Sequence, residues 1–523
     1  MGKDVTERKP GPINYWAWGS GDVVGAGLPA VTSGWLIYFY TTFCHIDALK
    51  AGGLLAIPRI FDAITCPLIG YISDNLRHTW VGRHIGRRKI FLLIAIPLLP
   101  SFALMWVQGQ SFLYYLSSYI FFELVYNCVL IPWETLPAEM SKDYKVKAKF
   151  AGARMLQAQA FAIFASYLPT LIINHLGKDS AVTFLINGAI FGVMGSVLIT
   201  LAVIFTWERP YTDGEKLIKP EPLNLARGLT IPFHMFRDLF STLRIRAFRQ
   251  HLGIYLGGYI SQDVFNAAFP IFVLTVMLGA TQIISQMWTI MYAVQLLSVL
   301  IAINVVMRTG PQRAYAAAIA SFILACILYY AYYLIQPAGF PAALHGIEHN
   351  VFGGVISGKV GPMVIFWLFV PVALAGLGRG TLNFVPWSVY NYLPDVDEAV
   401  TGQRREGIFA GVMTLVRKFT QAFALAGTGW AMEAGGFVSG APAQTPHAVH
   451  TIVLILCVAP AVVMLLGFLV SLSFRLNAKT HDVLMTEIER LRDGATEPAT
   501  PESGKVVEAL TGWKYATLWG RGR

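Results

Sequence analysis

Twelve apolar runs, each of roughly twenty residues or more, divide this chain, and each is long enough to cross a bilayer as a helix. Six fall at about 15–43, 50–74, 89–107, 111–137, 150–175 and 182–206. Six more fall at about 251–278, 281–307, 313–335, 361–393, 406–434 and 449–475. Gly and Pro inside the runs are no objection, because neighbouring helices satisfy the backbone groups they free. A polar, basic stretch separates the two sets. The pattern predicts an all-α membrane protein of twelve transmembrane helices, arranged as two pseudo-symmetric six-helix bundles over residues 1–206 and 250–477, with a cytoplasmic linker over 207–249 and a cytoplasmic tail over 478–523.

The two sets echo each other. Pro132-Trp133, Leu136-Pro137, Glu139 and Phe150-Ala151-Gly152 in the first match Pro386-Trp387, Leu393-Pro394, Asp395 and Phe409-Ala410-Gly411 in the second. Both copies straddle the same end of the fourth span of their half. Repeated halves of this kind place a binding site near the midplane, between the bundles.

Composition agrees with many spans. Charged residues make up 13% of the 523 residues, against about 25% in an ordinary soluble domain. The net charge of +10 does not point to nucleic acid, because most Lys and Arg fall in the N-tail, alternate loops and C-tail. Only Lys50, Lys178 and Lys359 fall in the opposite loops. That asymmetry predicts both termini cytoplasmic, with the basic excess facing anionic lipid headgroups. The first fifteen residues are polar and charged, unlike a cleavable signal. The five cysteines form no CxxC, so neither a disulfide framework nor a metal site is expected, and no cofactor is implied. GxSxG, HExxH and paired-His patterns are missing from the spans, which argues against a membrane enzyme. Ile231–Arg249 reads either as an interfacial helix or as a solvated linker. His345, Glu348 and His349, in the long loop 337–360, read as solvated. The tail has one amphipathic stretch (DVLMTEIERLRD) and then a Pro/Thr/Glu-rich piece that looks flexible.

Charge inside the spans is the informative exception. A carboxylate at the bilayer centre costs roughly 2.5–3.5 kcal/mol on insertion scales, so Asp62 is either paired or used. Asp62, Thr65 and Cys66 lie at i, i+3 and i+4 on one helix face, with Arg59 at i−3. One reading is a neutral Arg59–Asp62 pair; the other is an acid that exchanges a proton or cation. Asp22 in the first span is either a site acid or an interfacial one. In the fourth span Glu123 and Glu134 bracket Tyr126, Asn127 and Trp133. The two aromatics suit either packing or stacking on a sugar ring, and Glu134 is expected near the water interface. Gln262, Asp263 and Asn266 cluster in the seventh span as candidate substrate contacts. Arg379 is either a charge partner for one of these acids or a structural cation. Arg417 and Lys418 are consecutive and point about 100° apart, so only one is expected to face the cavity.

At this point the residues resemble a known group. Gly70-x-x-x-Asp74 followed by Gly86-Arg87-Arg88-Lys89 looks like the loop motif of the major facilitator superfamily. Arg59-Ile-Phe-Asp62-Ala63, Pro67-x-x-Gly70, Pro132-Trp133, Leu393-Pro394-Asp395-x-Asp397 and Lys418 in TLVRKFTQAF look like the glycoside–pentoside–hexuronide:cation symporters, the melibiose permease group. Animal lysophospholipid symporters share these motifs. The resemblance covers about 15–475 and implies a cation site from the second, fourth and eleventh helices. By position it assigns Asp62 as the cation carboxylate, with Thr65, Asn127 and Lys418 around it, and Arg154 at the sugar site. It also implies a cytoplasmic latch in which Asp74 and the cations Arg83, Arg87, Arg88 and Lys89 cap neighbouring helix ends.

The chain departs from the pattern in three places. Cys66 stands where the family has a second Asp, and Ala26 and Leu130 stand where melibiose permease has its sugar-binding acids. Sodium asks for several hard oxygen ligands, and one place is taken by a soft sulfur. The expectation is therefore a monomeric inner- or plasma-membrane transporter that couples a glycoside or similar polar metabolite to a cation, H+ before Na+. A lysophospholipid or peptidoglycan fragment is the alternative substrate, and a transport-inactive sensor the alternative class.

Overall fold

The computed structural model describes the chain except residues 1–8, 77–81, 83, 142–143, 177–179, 209–229, 231–240, 338–339, 346–354, 356–359, 391, 403–405, 442 and 522–523. Twelve long helical segments coincide with the apolar runs. In the first half these are α1 (Pro12–Thr42, with a π turn at Val23–Gly27), α2 (Ala48–Asn75), α3 (Lys89–Trp106, its second part a 3-10 helix), α4 (Phe112–Met140), α5 (Tyr144–Leu176) and α6 (Ala181–Phe205). In the second they are α7 (Arg246–Thr275), α8 (Thr281–Thr309), α9 (Pro311–Ile335), α10 (Pro362–Tyr390), α11 (Glu406–Ala434) and α12 (Pro446–Leu472, with a π turn at Leu454–Val458). Among the described residues, ten are long and apolar enough to cross a membrane on length and composition alone. The other two, α7 and α11, carry Asp263 and the Arg417-Lys418 pair. Most of the linker, Glu348 and His349 lie outside the described residues.

Local chemistry sets the ends. The Ser111 hydroxyl accepts the Tyr114 N–H at the start of α4, and Thr445 accepts Ala448 N–H at the start of α12. Between α8 and α9 the chain turns at Gly310, whose φ of +85° suits glycine, and Pro311 then opens α9.

Packing repeats with a shift of six helices. Across the divide α2 meets α11 and α8 meets α5, while α1 meets α7. Exchanging the halves maps the first two interfaces onto each other, which is the pseudo-two-fold expected of duplicated bundles. The halves close at the end away from the termini. There Tyr38 and Thr281 share a hydrogen bond of 2.8 Å, Leu49 N–H donates to Glu433 at 2.9 Å, and Ser166 meets Thr289 at 3.1 Å. Helices α2 and α11 touch through bare backbone. A Cβ on Gly429 would stand 2.4 Å from the Ala48 carbonyl oxygen, and one on Gly52 would stand 3.0 Å from that of Leu425. Lipid offers no hydrophobic drive between helices, so this close approach relies on small residues.

The tail corrects an expectation. Its Pro/Thr/Glu-rich piece is folded rather than flexible. Helix α13 (Ala478–Arg492) packs on α14 (Pro501–Thr511), and both lie against the short helix Leu393–Thr401 that joins α10 to α11. Thr500 caps α14 and Pro501 opens it. Glu487 gathers the Ser503 hydroxyl, the Tyr515 hydroxyl at 2.6 Å and the Ala499 N–H at 3.0 Å. Burial works to raise the Glu487 carboxyl, but these three donors outweigh it, and its pKa lies below the ordinary value. Burial, with the bond to Glu487, pushes the Tyr515 phenol up to about 12. Asp395 meets His481 at 2.8 Å, Glu398 accepts from Arg492 at 2.7 Å, and Ala399 O accepts the Trp519 N–H at 2.9 Å. Asp395 and Glu398 of the connecting helix are thus paired with the tail.

Candidate transport site

Asp62 lies fourteen residues along α2 from Ala48, about 21 Å at 1.5 Å per residue and so near mid-depth. It is 1% exposed. Pro67 carries no N–H for the Ala63 carbonyl, which loosens the helix one turn away. The Asp62 Oδ1 accepts from Lys418 Nζ at 2.7 Å and from Asn127 Nδ2 at 2.6 Å, and the same amide reaches Thr65 Oγ1 at 3.1 Å. The Cys66 thiol lies beside Lys418. The five residues assigned to cation coupling are therefore one cluster built from α2, α4 and α11. Among the described residues, Asn127 Oδ1 has no hydrogen-bond partner. The ammonium of Lys418 is the cation that neutralises Asp62, and it reaches across from the other half.

Arg59 is not the partner of Asp62. It pairs with Glu123 at 2.9 Å, one turn before Asn127 on α4, and Glu123 is 2% exposed. The i−3 spacing puts Arg59 near the Asp62 face, but its longer side chain reaches a neighbouring helix. Tyr126 lies beside this pair and lines a small cavity with Thr32, Arg59 and Glu123. Glu123 is the site member that sequence reasoning left without a role. Its position one turn from Asn127 on an apolar helix was the available signal.

Asp22 is buried. Its Oδ1 accepts from Arg154 Nε at 3.1 Å, while Arg154 Nη2 donates to Glu134 at 2.8 Å. Glu134 is exposed. Trp133 has no free face for a sugar, because its ring stacks on Trp18 at 5.0 Å and Arg154 sits 4.8 Å from its centre. The two indoles each donate to the other's backbone carbonyl at 2.9 Å. Trp133 thus staples α1 to α4, a role no spacing rule announces.

In the second half, Asp263 takes both amino groups of Arg417, at 2.6 and 2.9 Å. Tyr259 lies under the same guanidinium at 4.9 Å. The expectation that only one of Arg417 and Lys418 faces inward fails. Their divergence of about 100° suits both, because acids stand on two sides of α11. Gln262 donates to Asn383 at 3.0 Å. Arg379 does not pair with Asp263. Its Nη1 donates to Asn266 Oδ1 at 2.6 Å and its Nε to Gln295 Oε1 at 3.2 Å. Gln295 and Asn383 were not singled out beforehand.

At the loop motif, the Asp74 side chain lies outside the described residues. The backbone N–H groups of Arg87, Arg88 and Lys89 converge on the Glu208 carboxylate at 3.0, 3.0 and 2.7 Å. Lys89 Nζ donates to the Val203 and Thr206 carbonyls at 2.8 and 2.6 Å, capping α6. These bonds tie α3 to α6 within one half.

The family model for "MFS/sugar transport protein" matches residues 17–478. The chain belongs to this family. An uncharacterized symporter of Synechocystis sp. is 25% identical, over 94% of this chain and 98% of the relative. The glucuronide carrier protein homolog of Escherichia coli is 21% identical, over 90% and 93%. The sodium-dependent lysophosphatidylcholine symporter 1 of Xenopus tropicalis is 21% identical, over 89% of each chain. Among solved structures, the nucleoside transporter NupG superposes with a TM-score of 0.57 at 13% identity, covering 88% of this chain and 99% of that one. A bacterial homolog of the lysosomal transporter Spinster, in an inward-facing and unoccupied conformation, superposes with a TM-score of 0.57 at 13% identity, covering 89% and 99%. The fold of this member of the MFS/sugar transport family is that of the major facilitator superfamily.

Proposed function

We propose that this transporter is a symporter that moves a glycoside-like polar solute together with a proton, by alternating access of its two bundles. The observation that carries the reading is the Lys418–Asp62 pair. It is an ion pair between halves, at mid-depth, on an acid that sits in the family's cation position. A coupling cation that neutralises Asp62 competes with Lys418. Its arrival releases a polar tie between the halves that lies away from the closed end. With the termini cytoplasmic, closure at the far end corresponds to an inward-facing state.

Protons are favoured over sodium because Cys66 replaces a hard ligand and a built-in ammonium already fills the place beside the carboxylate. Uptake into proteoliposomes under an imposed pH gradient, with and without sodium, tests this. Accumulation driven by a pH gradient without sodium is expected, and strict sodium dependence would overturn it. Names among the relatives support glycosides as the substrate class. The lysophospholipid reading keeps support from the Xenopus relative, and a counterflow comparison of glycosides with lysolipids separates the two. Counterflow of any solute also excludes a sensor that binds without exchange.

A further inference from the structure

Cys66 stands where the family has a second acid, yet Asp62 still has a carboxylate for a neighbour. Glu123 of α4 is 2% exposed and lies close enough to feel both Asp62 and Lys418. The pairs form successive rungs between α2 and α4. Arg59 lies three residues before Asp62, and Glu123 lies four before Asn127. Arg59–Glu123 therefore sits one turn nearer the closed end than Asp62–Asn127. This outer rung is incomplete. Arg59 Nη1 meets Glu123 Oε1 at 2.9 Å, but Glu123 Oε2 and Arg59 Nε are buried without a hydrogen-bond partner among the described residues. A buried oxygen left bare is costly. A proton is the smallest addition that satisfies it, and it displaces no existing bond. The small cavity beside the pair has an acceptor for the O–H so formed. On its wall, the Thr32 hydroxyl spends its hydrogen on the Leu28 and Pro29 carbonyls, at 3.2 and 3.1 Å, and keeps its lone pairs.

We propose that Glu123 is the residue that takes the coupling proton, and that Arg59 passes the event on to Asp62. The inference rests on the proton-symport reading and names the acid that carries it out. A hydronium ion gives its proton to Glu123 Oε2. One O–H bond forms, water leaves, and nothing is oxidised or reduced. The neutral acid no longer holds Arg59, which cannot give up its own charge. The next carboxylate on that face of α2 is Asp62, three residues on. A guanidinium takes a carboxylate through two N–H bonds, and so displaces the single ammonium contact of Lys418. The tie between the halves is released by a proton bound one turn away from it. When the O–H returns its proton to water on the other side, Arg59 goes back to Glu123 and Lys418 to Asp62. The charged and titratable groups facing Glu123 are Arg59 and Asp62 from α2, Tyr119 and Tyr126 from α4 and Lys418 from α11. Helix α1 brings Leu28, Pro29 and Thr32, and α3 meets this stretch of α4 through Phe102, none of them titratable.

The test uses the purified full-length chain, with the proton itself as the ligand. Infrared difference spectra are taken as pH is lowered from alkaline to mildly acid, for the wild type, Glu123→Gln and Glu123→Asp, with thermal unfolding run on each. Surface carboxylates are common to all three and cancel on subtraction. The carbonyl band of a protonated carboxylic acid is expected in the wild type, lost in Glu123→Gln, and present at a shifted frequency in Glu123→Asp. Where Glu123→Gln alone does not fold, Arg59→Gln combined with Glu123→Gln removes both charges and takes its place. Absence of the band from the subtraction would overturn the proposal. So would a band of unchanged frequency in Glu123→Asp, which would belong to Asp62. The passage through Arg59 is read by thiol labelling of Ser166→Cys, followed at that residue by peptide mass spectrometry and taken relative to the unfolded protein at the same pH. Labelling should vary with pH when Glu123 is present and hold its acid value at every pH in Glu123→Gln. A pH dependence that survives Glu123→Gln would overturn the relay. Failure of the underlying reading shows separately: strictly sodium-dependent uptake with the Glu123 band intact would keep the proton site and sink proton symport.

Discussion

Two acids in the membrane, Asp62 and Asp263, are neutralised by consecutive residues of one helix, yet the two pairs are different objects. Arg417 holds Asp263 bidentately within its own half. Lys418 holds Asp62 through one contact, from the other half. A bundle that rocks as a rigid body keeps the first pair and must break the second. Geometry matches those fates. A fork on a carboxylate is hard to exchange, whereas a single ammonium contact on an acid that also accepts from Asn127 is replaceable by another cation. In the proposed cycle, adjacent residues serve structure and coupling separately.

The comparison can be broken most forcefully at Asp62. Asp62→Asn should lower gradient-driven accumulation by about 100-fold or more, equivalent to roughly 2.8 kcal/mol, while counterflow without a gradient persists. Asp263→Asn should leave gradient coupling in place. Equal loss of coupling in both variants, measured in proteoliposomes, would erase the distinction. Next in size is the far-end closure. Gly429→Leu should cut counterflow by more than about tenfold, because a side chain cannot fit where a Cβ already stands 2.4 Å from the Ala48 carbonyl oxygen. Its readout is increased thiol labelling of Ser166→Cys, a position covered in the closed end.

Third, Arg417→Gln should destabilise the protein by about 3–5 kcal/mol, because Asp263 is left buried and unpaired. The double variant with Asp263→Asn should recover most of the lost melting temperature, whereas the corresponding pair of changes at Lys418 and Asp62 should recover stability without recovering coupling. Fourth, Trp133→Phe removes one hydrogen bond to Trp18 and should cost about 1 kcal/mol in stability. A substrate affinity reduced by more than tenfold in that variant would instead restore Trp133 to a stacking role.

The smallest effect concerns the tail. The Glu487 carboxyl has a folded pKa below its unfolded one. Its contribution is therefore complete above the ordinary glutamate value of about 4.3 and is lost as pH falls through the depressed folded value. Hydrogen-exchange protection across residues 478–521, taken relative to the intrinsic amide rate at each pH, should be high at neutral pH and fall under acid. Glu487→Gln should show lower protection already at neutral pH and a flatter acid response.

Much of the architecture was legible because a bilayer imposes a simple code. Apolar length announced the twelve helices, and a lone carboxylate in a span announced Asp62. What escaped was reach between helices. Arg59 is three residues from Asp62 in sequence, and its guanidinium nonetheless goes to Glu123 on another helix. Trp133 looked available until Trp18 and Arg154 were seen to occupy it. The tail looked flexible because its composition is polar, but Glu487 organises it through donors up to 28 residues away.

The chain by itself determined that the protein crosses a membrane many times, that its halves repeat, and that Asp62 needs a reason to exist. Those follow from transfer costs that each residue bears alone. Which cation answers which acid was decided by tertiary structure. Pairing depends on where helices distant in sequence place their side chains, and a difference of one residue on α11 selects between an acid of the same half and an acid of the other.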